Sequence, residues 1–341
     1  MSSIRVGLIG VGRIGTLHAQ TLTNNADVAE VVVADVDEAR AQAVATRLGA
    51  SFGPLDELFT GRVDALVVAA STTAHAELVR RAARARLTVF CEKPLASDVP
   101  STRAVLADAE AAGTSLVMGF QRRSDAGYRA AREAVRSGRL GRLHSLYATT
   151  FDATPPPASY IPVSGGIFRD MHIHDFDIIR FVTGREVISV FATGTNNGDA
   201  FFAEAGDVDT SAALLTLDDG TLALVQGGRY NGAGHDVRLE VHGSTGTIAV
   251  GLDARLPLRS AESNVAWPTA TPYANFFERF KAAYITELDN FIAHVLGRIE
   301  NPSPGRDALE ALYIAEAAEL SRARSRPVDV AELRLMQAPR T

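Results

Sequence analysis

The sequence predicts two domains in series: a doubly wound α/β domain on a parallel sheet, then an α+β domain on a largely antiparallel sheet. Three observations carry this. Short apolar runs alternate with helical stretches through the first third of the chain. Near residue 123 the pattern changes to strands joined by tight turns. The 341 residues also exceed what one hydrophobic core usually organises. The domains are read as 1–122 and 123–341.

In the first domain, apolar runs at 4–9, 28–33, 63–69, 88–91 and 115–118 read as strands. The stretches 14–23, 37–48, 74–85 and 101–112 between them read as helices. Buried strands alternating with helices imply right-handed βαβ units, hence a parallel sheet with helices on both faces.

The first strand runs into Gly10-Val11-Gly12-Arg13-Ile14-Gly15. As a bare G-x-G-x-x-G pattern this is weak, because 28 glycines make chance matches common. Its setting is informative: it follows a strand, opens a helix, and precedes an acid, Asp35, by 20 residues. This is the Rossmann dinucleotide fingerprint. Gly10 permits a tight turn, Gly12 lets backbone approach a pyrophosphate, and Gly15 lets helix and strand pack closely. The helix opened by Arg13 and Ile14 offers N–H groups to the phosphates. A purely structural turn is the competing reading. Asp35 suits the adenosine ribose hydroxyls and repels a 2′-phosphate, favouring NAD over NADP. It can also cap the next helix. Arg40 is read as too far along that helix to bind a 2′-phosphate.

After the fourth strand comes Glu92-Lys93-Pro94. Ligands of doubly wound sheets gather at the carboxyl ends of the strands, so Lys93 is expected beside the nicotinamide half of the cofactor. A lysine there can hold a substrate hydroxyl and favour the alkoxide. A surface lysine in an ordinary turn is the alternative.

A nucleotide fingerprint followed by Glu-Lys-Pro resembles the Gfo/Idh/MocA oxidoreductase family, and the resemblance covers nearly the whole chain. Ala70-Ser71-Thr72-Thr73-Ala74-His75 resembles the family's loop beneath the cofactor. Met118-Gly119-Phe120-Gln121-Arg122-Arg123 resembles its crossover to the second domain. The resemblance implies NAD as cofactor, with Ala70, Ser71, Thr72, His75, Glu92, Lys93 and Gln121 joining Gly10, Gly12, Arg13, Ile14, Gly15 and Asp35 around it. It also implies an open second sheet that packs against neighbouring copies in a dimer or tetramer.

The second domain opens with a helix at 125–137 and a strand at 143–149. Pro155-Pro156-Pro157 stiffens the loop that follows. A helix is expected over 170–182, then strands at 187–192, 209–217, 221–227, 237–242 and 247–250. Asp218-Asp219-Gly220 is a hairpin signal. Helices at 276–295 and 307–323 close the chain. Two sheets with a crossover near residue 122 place a cleft between the domains, a common position for a small-molecule site.

The stretch 165–177, GGIFRDMHIHDFD, concentrates two histidines and three aspartates. On one continuous helix, Asp170 and His174 stack on one face, Asp177 lies close to that line, and His172 points away. A metal site using both histidines needs a strand, where i and i+2 share a face. No metal is therefore expected. A half-buried histidine one turn after a carboxylate is a candidate general base, or else a structural pair at a helix start. The resemblance favours the first: Lys93, Asp170 and His174 correspond to the family's catalytic residues. His172 has no assigned role.

The run from Pro155 to Asp170 and the stretch Phe276–Tyr284 resemble the branch that oxidises myo-inositol at carbon 2. Arg123, Asp152 and His235 join Lys93, Asp170 and His174 as expected contacts to substrate hydroxyls, each open to an ordinary paired or surface role. Two departures touch the pocket. Thr150-Phe151-Asp152-Ala153 stands where many relatives have Ser-Arg-Asp-Pro, and Ala233-Gly234-His235-Asp236 where they often have Tyr-Gly-Tyr-Asp. Another cyclitol or an aldose therefore remains an alternative substrate, and a non-catalytic NAD-binding sensor is the alternative from another class.

Composition narrows the partners. The net charge of −6 gives no reason to expect nucleic acid or a membrane surface, and Arg80, Arg81, Arg84 and Arg86 read as a solvated helix face. The single cysteine, Cys91, fits a reducing compartment. The start MSSIRVGLIGVG lacks signal-peptide features, and no apolar run reaches the ~18 residues of a membrane span. A cytoplasmic enzyme acting on a small polyol or sugar is expected.

Overall fold

Strand β1 (Ile4–Ile9), α1 (Arg13–Thr23), β2 (Val28–Ala34), α2 (Glu38–Leu48), β3 (Ser51–Phe52), β4 (Ala65–Val68), α3 (Thr72–Arg84), β5 (Thr88–Glu92), α4 (Val99–Ala111) and β6 (Leu116–Gly119) follow one another in the first unit. The computed structural model describes residues 3–336. The six strands lie in the order β3-β2-β1-β4-β5-β6, each pair parallel. This is the doubly wound order of a Rossmann sheet. Strand β3 is only two residues long, too short to show a periodicity, and the sequence reading has no counterpart for it. The cap of α2 is Asp37, whose Oδ1 accepts the Arg40 N–H at 3.0 Å. Asp35 is thus free of the capping role considered for it.

The chain divides into two compact units: residues through Ser124 with Ala282–Leu309, and Asp125–Lys281 with the residues from Glu310. The sequence reading assigns everything after 122 to the second domain, so the segment Ala282–Leu309 differs. Its side chains explain why. Leu288, Phe291 and Ile292 are fully buried in one cluster with Val6, Leu8, Val33, Val67 and Phe90 of the parallel sheet. Backbone bonds tie it further, Met118 N–H donating to Ser303 O at 2.7 Å.

The second unit contains α5 (Ala126–Arg136), β7 (Leu143–Phe151), α6 (Ile161–Ser164), α7 (Ile167–Asp170), α8 (Ile173–Thr183), β8 (Val187–Thr195), α9 (Phe201–Glu204), β9 (Thr210–Leu217), β10 (Leu222–Gly228), β11 (Asp236–Gly243) and β12 (Gly246–Val250). After α10 (Phe276–Val295) and α11 (Gly305–Arg324), within which the division between units falls, come β13 (Val328–Asp329) and α12 (Val330–Met336). Its seven-stranded sheet has the order β12-β11-β7-β10-β9-β8-β13. Only β7 and β10 pair in parallel; the other neighbours are antiparallel.

Burial alternates along β9 and β10, so one face of this sheet is covered and the other is open. On the open face, Tyr147, Leu224, Leu214 and Phe191 stand directly opposite one another across four strands, each more than a third exposed.

The single helix expected over 170–182 is in fact two. α7 ends at Asp170, α8 begins at Ile173, and His172 is the N-cap residue of α8. The His172 N–H reaches back five residues to Ile167 O at 3.1 Å, widening the turn. The break coincides with a buried polar network. His172 Nδ1 lies 2.7 Å from Asp175 Oδ2 and Nε2 2.8 Å from Ser211 Oγ, while Thr150 Oγ1 donates to Asp175 Oδ1 at 2.9 Å. His172, the histidine without a role, is a structural member of the core.

Candidate active site

In the parallel sheet, register aligns the carboxyl ends of the strands. Ile9 stands opposite Ala34 and Val68, Val68 opposite Cys91, and Glu92 opposite Gly119. The residues that follow these strands therefore share one edge: Gly10–Gly15, Asp35, Ala70–Thr72, Lys93 and Gln121.

The three fingerprint glycines have distinct spatial reasons. Gly10 has φ +93°, and a Cβ there would lie 2.6 Å from Ala69 O. A Cβ on Gly15 would lie 1.8 Å from Gly10 O, so helix and turn meet only because it is absent. A Cβ on Gly12 would meet nothing within 4 Å. That space, above an α1 N-terminus with no acidic residue in its first turn and no side-chain cap, suits a pyrophosphate. The residues present thus fit an NAD cofactor.

Asp35 is held in place from three sides. Its Oδ2 accepts the Val11 N–H at 2.7 Å, and its Oδ1 accepts the Asp37 N–H at 3.0 Å and Arg40 Nη2 at 2.6 Å. Burial pushes its pKa up, but the Asp37 and Val11 N–H groups and the Arg40 guanidinium outweigh this, and the carboxyl sits below its ordinary value. Arg40, in the first turn of α2, therefore reaches back to pair with Asp35.

Two histidines brace the lysine turn. His18, fully buried against Phe90 and Tyr284, places Nε2 2.7 Å from Glu92 Oε1. His75, also buried, places Nδ1 2.7 Å from Pro94 O and Nε2 3.1 Å from Ala70 O. The Lys93–Pro94 peptide between them is cis. Of the residues expected near the cofactor, Glu92 and His75 hold the protein's own backbone and side chains, and Gln121 is buried in a short turn at 121–124. Arg123, expected to meet substrate, donates to Asp307 Oδ2 at 2.9 Å and stands over the Phe120 ring. Burial raises the Cys91 thiol well above its ordinary pKa, and Glu92 adds to this.

In the second unit, Asp152 follows β7, Arg229 follows β10 and His235 precedes β11. Phe151 pairs with both Gly228 and Asp236, so strand register brings these three side chains together. Arg229, 4% exposed, donates from Nη2 to Asp170 Oδ2 at 2.8 Å and from Nη1 to Asp152 Oδ2 at 3.2 Å. Tyr160 OH donates to Asp170 Oδ1 at 2.9 Å, and His235 Nδ1 lies 3.5 Å from Asp152 Oδ1. Burial works against the Arg229 charge, but Asp170 and Asp152 more than restore it. Asp207 Oδ1 accepts the Ile167 N–H at 3.0 Å and so anchors the short helix that carries Asp170. His174 is half-buried in the first turn of α8. Asp152, Asp170 and His235 are thus brought together as expected. Arg229 and Tyr160, which join them, carry no local motif; only the register of β7, β10 and β11 reveals Arg229.

A Rossmann sheet with a glycine turn shaped for pyrophosphate, and a lysine turn at the same edge, define a dinucleotide-dependent oxidoreductase. Comparison with known proteins agrees. Residues 4–120 match the model of the oxidoreductase family with an NAD-binding Rossmann fold, and residues 128–249 that of the GFO/IDH/MocA C-terminal domain. The inositol 2-dehydrogenase of Rhizobium meliloti (strain 1021) is 38% identical, over 96% of this chain and 100% of that protein. The crystal structure of a myo-inositol dehydrogenase from Corynebacterium glutamicum superposes with a TM-score of 0.88 at 33% identity, covering 96% of this chain and 98% of that one. That of the scyllo-inositol dehydrogenase from Lactobacillus casei, with bound NAD(H) and scyllo-inositol, gives 0.84 at 27% identity, covering 96% and 99%. The chain belongs to the Gfo/Idh/MocA family and is an NAD-dependent oxidoreductase of the type that includes the inositol dehydrogenases. Among the described residues, no helix is long and apolar enough to cross a membrane.

Proposed function

We propose that the protein oxidises a ring secondary hydroxyl of a cyclic polyol, myo-inositol to 2-keto-myo-inositol, with NAD as acceptor. The observation that carries this reading is the cluster of Asp152, Asp170, Arg229, His235 and Tyr160. A ring bearing a hydroxyl on every carbon calls for many convergent donors and acceptors, and this cluster supplies both. His174 takes the proton of the reacting hydroxyl. Lys93 holds the hydroxyl oxygen and, by its charge, favours the alkoxide. Asp170, paired with Arg229, orients the hydroxyls. The cofactor, when bound, accepts the hydride. His235 in place of a tyrosine favours a second reading, another cyclitol such as scyllo-inositol, which the Lactobacillus casei relative binds. NADH absorbance with myo-inositol, scyllo-inositol, glucose and xylose decides between them: turnover of an aldose without either inositol rejects the cyclitol reading.

The same reading includes a cytoplasmic location and a homo-oligomer. Tyr147, Leu224, Leu214 and Phe191 form an apolar row on the open sheet face. A second copy laid on that row buries it in a dimer or tetramer. Leu214→Glu is expected to lower the mass measured by sedimentation; an unchanged mass rejects this surface as the interface.

A further inference from the structure

We infer that His172 is a positioning residue for the oxidation: keyed into the second sheet by its side chain, it fixes the break between α7 and α8 and so sets the aim of Asp170 and His174 together. The inference rests on the roles given to those two residues under the proposed function.

His172 is the joint of the break. Its N–H reaches back to Ile167 O at 3.1 Å, and its carbonyl accepts the first bond of α8, from the Phe176 N–H at 2.8 Å. Asp170 stands two residues before it, at the end of α7, and His174 two residues after it, in the first turn of α8. A displacement of His172 therefore moves both.

The sheet is shaped to receive the ring. Ser211, Gly227 and Thr150 stand directly opposite one another across β9, β10 and β7. The imidazole lies over the glycine: a Cβ on Gly227 would lie 2.4 Å from His172 Cε1. The flanking hydroxyls hold the ring, Ser211 at Nε2 and Thr150 through Asp175 at Nδ1. Phe168 of α7 and Phe176 of α8 close the slot, their ring centroids 5.8 and 6.1 Å from that of His172. All of these polar groups are buried, and buried polar groups are costly unless paired, so the ring has one seat on the sheet. Serine, histidine and aspartate in this order match the hydrogen bonds of a hydrolase triad. Ser211 is only 3% exposed, however, so its hydroxyl serves the imidazole and not a substrate.

The next row outward is the candidate site. Strand residues two apart share a face, so Thr150 leads to Asp152 and Gly227 to Arg229. Backbone pairing continues that far: Asp152 N–H donates to Gly228 O at 2.9 Å and Arg229 N–H to Asp209 O at 2.8 Å. Arg229 in turn holds Asp170 at 2.8 Å. The inner row thus registers the two helices on the same strands that carry Asp152 and Arg229, and Asp170 falls on Arg229 as a result.

The test compares His172→Phe with Val182→Ala. The first keeps a ring in the slot and drops both of its hydrogen bonds; the second opens the core at the last turn of α8 and leaves the break alone. kcat is measured with NAD and the fastest substrate among myo-inositol, scyllo-inositol, glucose and xylose, at a temperature where circular dichroism shows each variant folded. His172→Phe is expected to lower kcat about 100-fold, the cost of misplacing reacting groups by about 1 Å, with NADH affinity unchanged. Val182→Ala is expected to lower Tm and keep kcat. His172→Asn, whose amide can meet Asp175 as Nδ1 does, is expected to lose about tenfold at most, since it gives up only the bond to Ser211. If His172→Phe does not fold, Ser211→Ala carries the test and is expected to lower kcat about tenfold. The inference is overturned if His172→Phe keeps kcat within about threefold of wild type, if Val182→Ala loses as much, or if His172→Asn is no better than His172→Phe. Turnover of none of the four compounds by the wild type would count against the proposed function instead. Crystal structures of wild type and His172→Phe then decide the inference: Asp170 Oδ2 moved from Arg229 Nη2 by about 1 Å or more supports it, and an unmoved Asp170 and His174 overturn it.

Discussion

Replacing Arg229 by methionine tests whether the acid cluster is built around a buried cation. Methionine keeps much of the aliphatic volume and removes the charge. Two charge-assisted hydrogen bonds go with it, at 2.8 Å to Asp170 and 3.2 Å to Asp152. Removing one partner of a buried ion pair costs ~3–5 kcal/mol, because the other charge is left without compensation. Here the carboxylates are 12% and 23% exposed, so water screens part of the loss. About 2–4 kcal/mol remains after that discount. For a unit of this size, 1 kcal/mol lowers Tm by about 2–4 °C, so a fall of roughly 4–16 °C is expected. The two carboxyls also lose the charge that favours their ionised forms. Their pKa values rise, and the acid limb of kcat/KM moves to higher pH. Thermal melting and a pH–rate profile read the two effects. Adding Asp170→Asn to the methionine variant is expected to recover stability, since it removes one of the two like charges that Arg229 had separated. A melting point within 1 °C of wild type together with an unmoved acid limb would refute the reasoning.

The fingerprint glycines make opposite predictions. Gly15→Ala places a Cβ 1.8 Å from Gly10 O and should lower Tm; overpacking of this kind costs ~1–3 kcal/mol or more. Gly12→Ala meets nothing within 4 Å and should melt like wild type while weakening NADH binding about tenfold. Equal effects of both on both readouts would sink the distinction. His174→Ala should lower kcat by ~100- to 10,000-fold with NADH affinity nearly unchanged; retention of most of kcat removes His174 from the base role. Asp35 has a folded-state pKa below its unfolded value, so its stabilisation is fully present above about pH 4 and is lost as pH falls through the lower folded value. Asp35→Asn should therefore reduce the difference in stability between pH 5 and pH 2.5; an unchanged difference contradicts the assignment.

What the sequence could show depended on how local each cause was. The glycine turn, Asp35 and the lysine turn sit beside strands whose apolar runs are plain, so their shared edge follows from the parallel order alone. The break between α7 and α8 was hidden because its cause is distant: His172 is drawn to Ser211, 39 residues on, and Asp175 to Thr150, 25 residues back. A periodicity argument sees only the apolar positions, which suit one helix as well as two. Arg229 was hidden for a similar reason. Its two acids lie 59 and 77 residues before it: Asp152 meets it through the register of β7 and β10, which are not consecutive, and Asp170 from the end of the short helix α7. The two-residue strands β3 and β13 are shorter than any repeat that could announce them.

The return of Ala282–Leu309 to the first unit bears on how the chain is made. A ribosome releases the six parallel strands early, but the sheet then waits for Leu288, Phe291 and Ile292 to cover its core. At ~5–20 residues per second, the intervening stretch of the chain takes roughly ten to thirty seconds to synthesise. During that interval the apolar side chains that Leu288, Phe291 and Ile292 later cover stay exposed on the nascent first unit. A fragment cut after Ser124 would remain in that condition permanently. Expression of the dinucleotide-binding module alone therefore calls for a second polypeptide carrying Ala282–Leu309, supplied in trans or fused in a circular permutant.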